Sequence, residues 1–253
     1  MDLGLSGRVY VVTGGSSGLG RAGAEALAAD GARLVIGARD PDALEATARA
    51  LGSPENAIGI PADLADPDAP ARLVGRAIEE FGRLDGALLS VGGPPAGPVT
   101  GMDDEAWRAA FESVFLGQLR AARAVADAVT DGGAIAFVLS SSVRSPIPGL
   151  ALSNGLRPGL AMVAKTLADE LGPRGIRVNS LLPGRIATAR VRALDESQGD
   201  PDAVRAAAEK GIPLRRYGEA AEFGRVAAFV LSPAASYLTG TVIPVDGGML
   251  RTL

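Results

Sequence analysis

Short runs of β-branched and aliphatic residues alternate with longer stretches of helical periodicity along nearly the whole chain. Residues 8–13 (RVYVVT) are almost continuously apolar, the pattern of a strand buried on both faces. Residues 34–37, 57–61, 87–91, 134–139, 177–182 and 241–245 read as further strands. Between them, helical patterns run over 21–30, 41–51, 69–81, 103–129, 156–171 and 219–231. Gly31 ends the first helix, and Asp40 is placed to cap the second with Pro41 at its first position. The length of 103–129 predicts one long helix or two abutting ones. Strands and helices in alternation imply βαβ units. The expected fold is therefore a single-domain, doubly wound, Rossmann-like α/β fold, with about seven parallel strands and helices on both faces. Residues 92–100 and 195–201 read as loops. The second lies within one long irregular stretch, about 184–218, a candidate lid over a site. No composition break marks a linker, and nothing repeats.

Composition narrows the chemistry. The chain has 253 residues, of which 47% are hydrophobic, enough for a sizeable core. Its net charge is -4 with no strongly basic stretch, which argues against a nucleic-acid footprint. There is no cysteine, so disulfides, thiolate nucleophiles and cysteine-bound metals are excluded. There is no histidine either, which removes the commonest general base, the Ser-His-Asp arrangement and histidine metal sites. Acid–base work falls to Asp, Glu, Lys, Tyr or water. The first residues lack a basic region and a long apolar run, and no segment reaches the ~18 apolar residues of a membrane span. A cytoplasmic protein is the expectation.

Thr13-Gly14-Gly15-Ser16-Ser17-Gly18-Leu19-Gly20 joins the first strand to the first helix. Its glycines permit a tight turn and close approach of the backbone to a pyrophosphate. The helix N-terminus behind them offers free N–H groups and a positive dipole end. The T-G-x-x-x-G-x-G spacing resembles that of the short-chain dehydrogenase/reductase family. Further stretches resemble the family in order: Asp63-Leu64, Pro183-Gly184-Arg185-Ile186-Ala187-Thr188, residues 212–219 (IPLRRYGE) and Val245-Asp246-Gly247-Gly248. The resemblance implies a dinucleotide held by Gly14, Ser16, Ser17, Gly18, Leu19 and Gly20, with Asp63 and Leu64 beside the adenine. Gly92, Pro183, Gly184, Ile186 and Thr188 are then further cofactor contacts. At the end of the second strand, Ala38 stands where NAD-preferring members put Asp, and Arg39 follows it. A guanidinium there suits a ribose 2′-phosphate, so NADP(H) is expected in preference to NAD(H).

The family's catalytic residues are Asn, Ser, Tyr and Lys, the last two in a Y-x-x-x-K stretch. Counting back from residues 165–171 (KTLADEL), the tyrosine place is Ser153 and the lysine place is Arg157. Thirteen residues before Ser153 lies Ser140, the serine place, with Ser141 and Ser142 leaving the register open by one or two. The asparagine place reads Val114. Tyrosines occur at 10, 217 and 237, so no Tyr-x-x-x-Lys exists in any register; Tyr217, beside the lid, is the remaining alternative proton donor. Residues 92–97 (GGPPAG), 146–150 (PIPGL) and 183–186 (PGRI) resemble a divergent, 3-oxoacyl-carrier-protein reductase-like branch. Two readings follow. In the first, an NADP(H)-dependent oxidoreductase acts on a carbonyl or alcohol: Ser140 and Ser153 bind the carbonyl oxygen, and Arg157 holds the nicotinamide ribose and supplies positive charge. In the second, an NADP(H)-binding pseudoenzyme serves as sensor or regulator. The resemblance also implies a homotetramer or homodimer.

Overall fold

The computed structural model describes residues 2–129 and 132–252. The apolar runs become β1 (Val9–Thr13), β2 (Arg33–Ala38), β3 (Ala57–Pro61), β4 (Gly86–Leu89), β5 (Gly133–Val138) and β6 (Ile176–Pro183). The helices between them are α1 (Gly18–Ala29), α2 (Pro41–Ala50), α3 (Ala69–Phe81), α4 (Asp104–Ala110), α5 (Gly117–Ala128) and α6 (Ala151–Leu171). The stretch read as one long helix or two carries a π-helical segment, Phe111–Leu116, between α4 and α5. Beyond β6 come the two-residue β7 (Ile186–Ala187), α7 (Ala189–Glu196), α8 (Pro201–Glu209), β8 (Gly218–Glu219), α9 (Ala220–Leu231) and finally β9 (Val242–Val245).

The main sheet has seven parallel strands in the order β3-β2-β1-β4-β5-β6-β9. Winding reverses between β1 and β4, which makes the carboxyl ends of those strands the topological switch point. Side chains alternate between two cores. Val9, Val11, Ile135 and Phe137 meet α3, α5 and α6 on one face. Tyr10, Val12, Ala134 and Ala136 meet α1 and α9 on the other. Both faces are covered, and the central strands β1, β4 and β5 are accordingly almost entirely apolar.

Helix starts follow local chemistry where a cap exists. Asp40 accepts from the backbone N–H groups of Asp42 and Ala43 at 3.0 and 3.1 Å, and Pro41 opens α2. Two expectations need correction. The stretch 184–218 is not irregular: it holds α7, capped by Thr188, and α8, capped by Asp200 with Pro201 in its first turn. The helix expected over 156–171 begins at Ala151 and runs through Gly155 and Pro158. Its start is set from outside, because Ala151 N–H donates to the Gly97 carbonyl at 3.2 Å and Gly97 N–H donates to the Gly149 carbonyl at 2.6 Å.

Asp85, 3% exposed, pins the amino end of β1 to that of β4. It accepts from Val9 N–H at 2.9 Å, Arg8 Nη1 at 2.8 Å and Arg83 Nη2 at 2.6 Å. The arginines are partly exposed, so their attraction is screened; the buried Val9 N–H is the group left unpaired if Asp85 is removed. Asp85→Ala is expected to lower stability by about 2–3 kcal/mol. Urea unfolding checks this through a lower midpoint with an unchanged slope.

Candidate active site

The loop after β1 is built at the switch point. Gly14 has φ +59°, and a Cβ there would lie 2.9 Å from the Ser90 carbonyl oxygen. A Cβ at Gly20 would lie 2.3 Å from the Gly14 carbonyl oxygen. Both neighbours are backbone, so each position needs glycine. Thr13 Oγ1 donates to the Ser90 carbonyl at 2.7 Å and accepts from Ser90 N–H at 2.9 Å, clamping the ends of β1 and β4 together. Ser17 leads into α1 without a side-chain cap, and the first turn carries no acidic residue. Uncapped N–H groups behind a glycine cradle fit an anionic pyrophosphate. Gly18 is exposed, and Thr188 approaches it from across the cleft, 3.9 Å from where a Cβ would stand.

Around this cradle lie the other expected cofactor residues. Arg39 is exposed and makes no hydrogen bond or ion pair within the described chain, while its neighbour Asp40 is occupied as a helix cap. Asp63 is exposed and its Oδ1 accepts from Ala65 N–H at 3.0 Å; Leu64 is buried against Gly117. Gly92 is exposed on the loop after β4. Gly184 N–H donates to the Val245 carbonyl at 3.0 Å, and a Cβ at Gly184 would strike Asp246 at 2.6 Å. Asp246 in turn accepts from Gly248 N–H at 2.9 Å and Leu250 N–H at 2.8 Å. Leu214 N–H reaches the Gly247 carbonyl at 3.2 Å. Three stretches far apart in sequence thus form one wall of the cleft, with Ile186 buried behind it.

At the expected catalytic positions the structure gathers serines and a buried arginine. Ser153 and Arg157, one turn apart on α6, share a face and are 6% and 5% exposed. Ser140 does not meet Ser153. Its hydroxyl accepts from Ser142 N–H at 3.1 Å and caps the short 3-10 turn Ser141–Val143. That turn presents Ser142 instead, whose Oγ lies 3.1 Å from Ser153 Oγ. Arg157 Nη1 donates to the Val138 and Leu139 carbonyls, both at 2.9 Å, at the carboxyl end of β5. No carboxylate pairs with it among the described residues. Burial, and secondarily the charge of Arg190, pull its pKa down to about 10, which leaves it protonated at neutral pH. Val114 is buried within the π-helical segment, its carbonyl accepting from Gln118 Nε2 at 3.0 Å.

The stretch from β7 to β8 carries a second assembly. Asp195, 3% exposed, is ion-paired to Arg185 and accepts from the Tyr217 hydroxyl at 3.0 Å. The Tyr217 ring lies between Arg205 and Arg185, whose guanidinium carbons sit 4.8 and 5.9 Å from its centroid. Asp195, Arg205 and Tyr217, with Thr188 and Val191, border a cleft of about 330 Å³. Burial raises the Tyr217 pKa, opposed by Arg185, and its proton is already donated to Asp195. Tyr10 is likewise occupied, its buried hydroxyl donating to the Leu231 carbonyl at 3.2 Å, and Tyr237 is fully exposed. Tyr217→Phe is expected to loosen the lid and raise substrate KM by a few-fold, with the chemical step unchanged. Single-turnover kinetics separate the two effects.

For two residues at this site the sequence pattern indicates no role. Ser142 was one of three equivalent serines. Arg190 had no local signal: from α7 its Nη2 donates to the Pro94 carbonyl at 2.6 Å, across 96 residues of chain. Among the described residues, no group of three or more His, Cys, Asp or Glu side chains is arranged to hold a metal ion, and no helix is long and apolar enough to cross a membrane.

Comparison with known proteins agrees with this architecture. The family sequence model described as Enoyl-(Acyl carrier protein) reductase matches residues 14–250. Levodione reductase of Leifsonia aquatica is 35% identical over 255 residues, covering 95% of this chain and 93% of that protein. An uncharacterized oxidoreductase of Mycobacterium tuberculosis is 34% identical over 252 residues, covering 97% and 93% respectively. The crystal structure of L-sorbose reductase from Gluconobacter frateurii, complexed with NADPH and L-sorbose, matches with a TM-score of 0.94 at 31% identity over all of both chains. The chain belongs to the short-chain dehydrogenase/reductase family, in its single-domain Rossmann-like form.

Proposed function

We propose that this chain is an NADP(H)-dependent oxidoreductase that interconverts a small carbonyl compound and its alcohol, through a site that dispenses with the Tyr-x-x-x-Lys pair. The observation that carries the reading is Arg157: a buried guanidinium with no carboxylate partner among the described residues, one helical turn from Ser153 of the Ser142–Ser153 hydroxyl pair. The NADPH-bound L-sorbose reductase supports the cofactor assignment.

Gly14, Ser16, Ser17, Gly18, Leu19 and Gly20 would hold the pyrophosphate, and Arg39 the 2′-phosphate, with Asp63 and Leu64 at the adenine. Gly92, Pro183, Gly184, Ile186 and Thr188 would border the nicotinamide. When bound, NADPH supplies a hydride to the carbonyl carbon and is left as NADP⁺. The hydroxyls of Ser142 and Ser153 donate hydrogen bonds to the carbonyl oxygen. Arg157 stabilises the negative charge that develops on that oxygen and, through donors not used on the β5 carbonyls, holds the ribose. A serine hydroxyl is too weak an acid to replace tyrosine at neutral pH, so water delivers the proton, relayed across the Ser142–Ser153 pair.

This arrangement predicts an unusual pH dependence. The titrating group of the site is Arg157, at about 10. Its charged form is the active one, so activity is retained below that value and lost as the pH rises through it. The rate of carbonyl reduction is expected to stay flat from about pH 6 to 9, with none of the limb a catalytic tyrosine would add.

The cofactor assignment is tested by titration with NADPH and NADH followed by fluorescence. Arg39→Ala is expected to weaken NADPH binding by about 10–100-fold and leave NADH little changed. Equal affinity for both cofactors in the unaltered protein would contradict it. Tight NADPH binding without turnover on any carbonyl would favour the sensor or regulatory reading.

A further inference from the structure

Arg157 and Arg190 have no acidic partner among the described residues. Arg157 is buried and bonded to backbone carbonyls alone. Arg190 reaches from α7 across the cleft mouth to the Pro94 carbonyl, its own hydrogen bond within the chain. It lies flat on the loop after β4: a Cβ at Gly93 would come within 2.9 Å of its Nε. Glycine at 93 therefore leaves the space the guanidinium occupies. Burial, and after it the charge of Arg190, lowers the Arg157 pKa, so the two cations lie within electrostatic reach of each other. Several other arginines have an acidic partner, Arg8 and Arg83 in Asp85, Arg185 in Asp195, Arg205 in Glu209 and Arg216 in Glu222, while Arg174 and Arg177, at the opposite end of the sheet, donate to backbone carbonyls.

Like charges placed together without counter-ions are unfavourable unless a ligand supplies the negative charge. In the reading above, on which this inference rests, Arg157 meets the oxyanion that develops during reduction. That leaves Arg190 for a negative charge already present on the substrate. We propose that the substrate is a carbonyl compound bearing a carboxylate, an oxo acid, and that Arg190 is the residue that binds this carboxylate. The planar guanidinium suits a carboxylate, and one cation with one duty matches a monoanion.

The test is calorimetric titration of the protein saturated with NADP⁺, a form that cannot reduce the ligand. The probes are 2-oxobutyrate and acetoacetate, each compared with its methyl ester. At least one acid is expected to bind on the order of tenfold or more tightly than its ester. Arg190→Met is expected to abolish that preference, with ester and NADP⁺ affinities unchanged, and Arg190→Lys to restore part of it. Equal binding of acids and esters would overturn the proposal. So would an Arg190→Met variant that loses NADP⁺ affinity while keeping the acid preference, since the guanidinium would then serve a cofactor phosphate. If the unaltered protein fails to bind NADP⁺, the cofactor reading falls. The same acid–ester comparison in cofactor-free protein then decides anion recognition separately.

Discussion

Arg157→Met is expected to lower the rate of hydride transfer by about 10²–10³-fold, the usual effect of removing one preorganised group from a developing oxyanion. The substitution keeps an unbranched stem in the buried slot. Replacing a buried charge with an apolar side chain of similar shape is often neutral or stabilising. The two carbonyls that Nη1 now satisfies, of Val138 and Leu139, offset part of that gain. Thermal unfolding is therefore expected to change little, and NADPH affinity to fall by less than the rate. Arg157→Lys keeps the charge but shortens the reach and loses the planar fork, so an intermediate rate is expected. Single-turnover measurement with saturating NADPH separates the chemical effect from binding. A variant as fast as the unaltered protein would remove Arg157 from the mechanism.

The second large effect is expected at the cradle. In Gly20→Ala the new methyl group would lie 2.3 Å from the Gly14 carbonyl oxygen. No rotamer relieves this, because the clash is at Cβ and the obstacle is backbone. The loop after β1 must move outward, and with it the N–H groups at the start of α1. NADPH affinity is expected to drop by about 100-fold or more, with a stability loss of about 1–3 kcal/mol. At Gly14, alanine meets both the Ser90 carbonyl at 2.9 Å and a positive φ, and the same outcome is expected. Fluorescence titration alongside urea unfolding checks both quantities. Unaltered NADPH binding in a folded Gly20→Ala protein would mean that the cofactor does not use this loop.

The sheet and the cradle were legible from local signals. Residues 57–61 and 69–81 were bounded to the residue as β3 and α3, because a β-branched run and an amphipathic stretch were each flanked by clear breaks. The glycine loop was legible because strand, turn and helix are contiguous. What was illegible depends on contacts between distant segments. The start of α6 is set by Gly97 and Gly149 rather than by its own residues, and Ser153, Asn154 and Gly155 in its first turns are weak helix formers. The helices α7 and α8 are short, and their caps, Thr188 and Asp200, sit in a stretch whose charges show no clear period. Ser142 faces Ser153 because a 3-10 turn rotates it there, which counting from Ser140 could not reveal. Arg190 meets the site only because α7 folds back over the loop after β4.

The hydrophobic faces of α5 and α6 bear on assembly. Phe111 and Met162 are 41% and 69% exposed beside them. Association of the chain through these faces, expected from the family resemblance, predicts a dimer or tetramer by light scattering, dissociated by Met162→Glu.

The most direct test of the central claim is transfer of deuterium from the nicotinamide C4 of stereospecifically labelled NADPH to a panel of oxo acids and neutral carbonyl compounds. A working oxidoreductase is expected to deliver label from one face of the ring, to at least one oxo acid, and to do so about 10²–10³-fold more slowly in Arg157→Met. Tight NADPH binding with no deuterium in any product would contradict the account and leave a binding protein in the place of an enzyme.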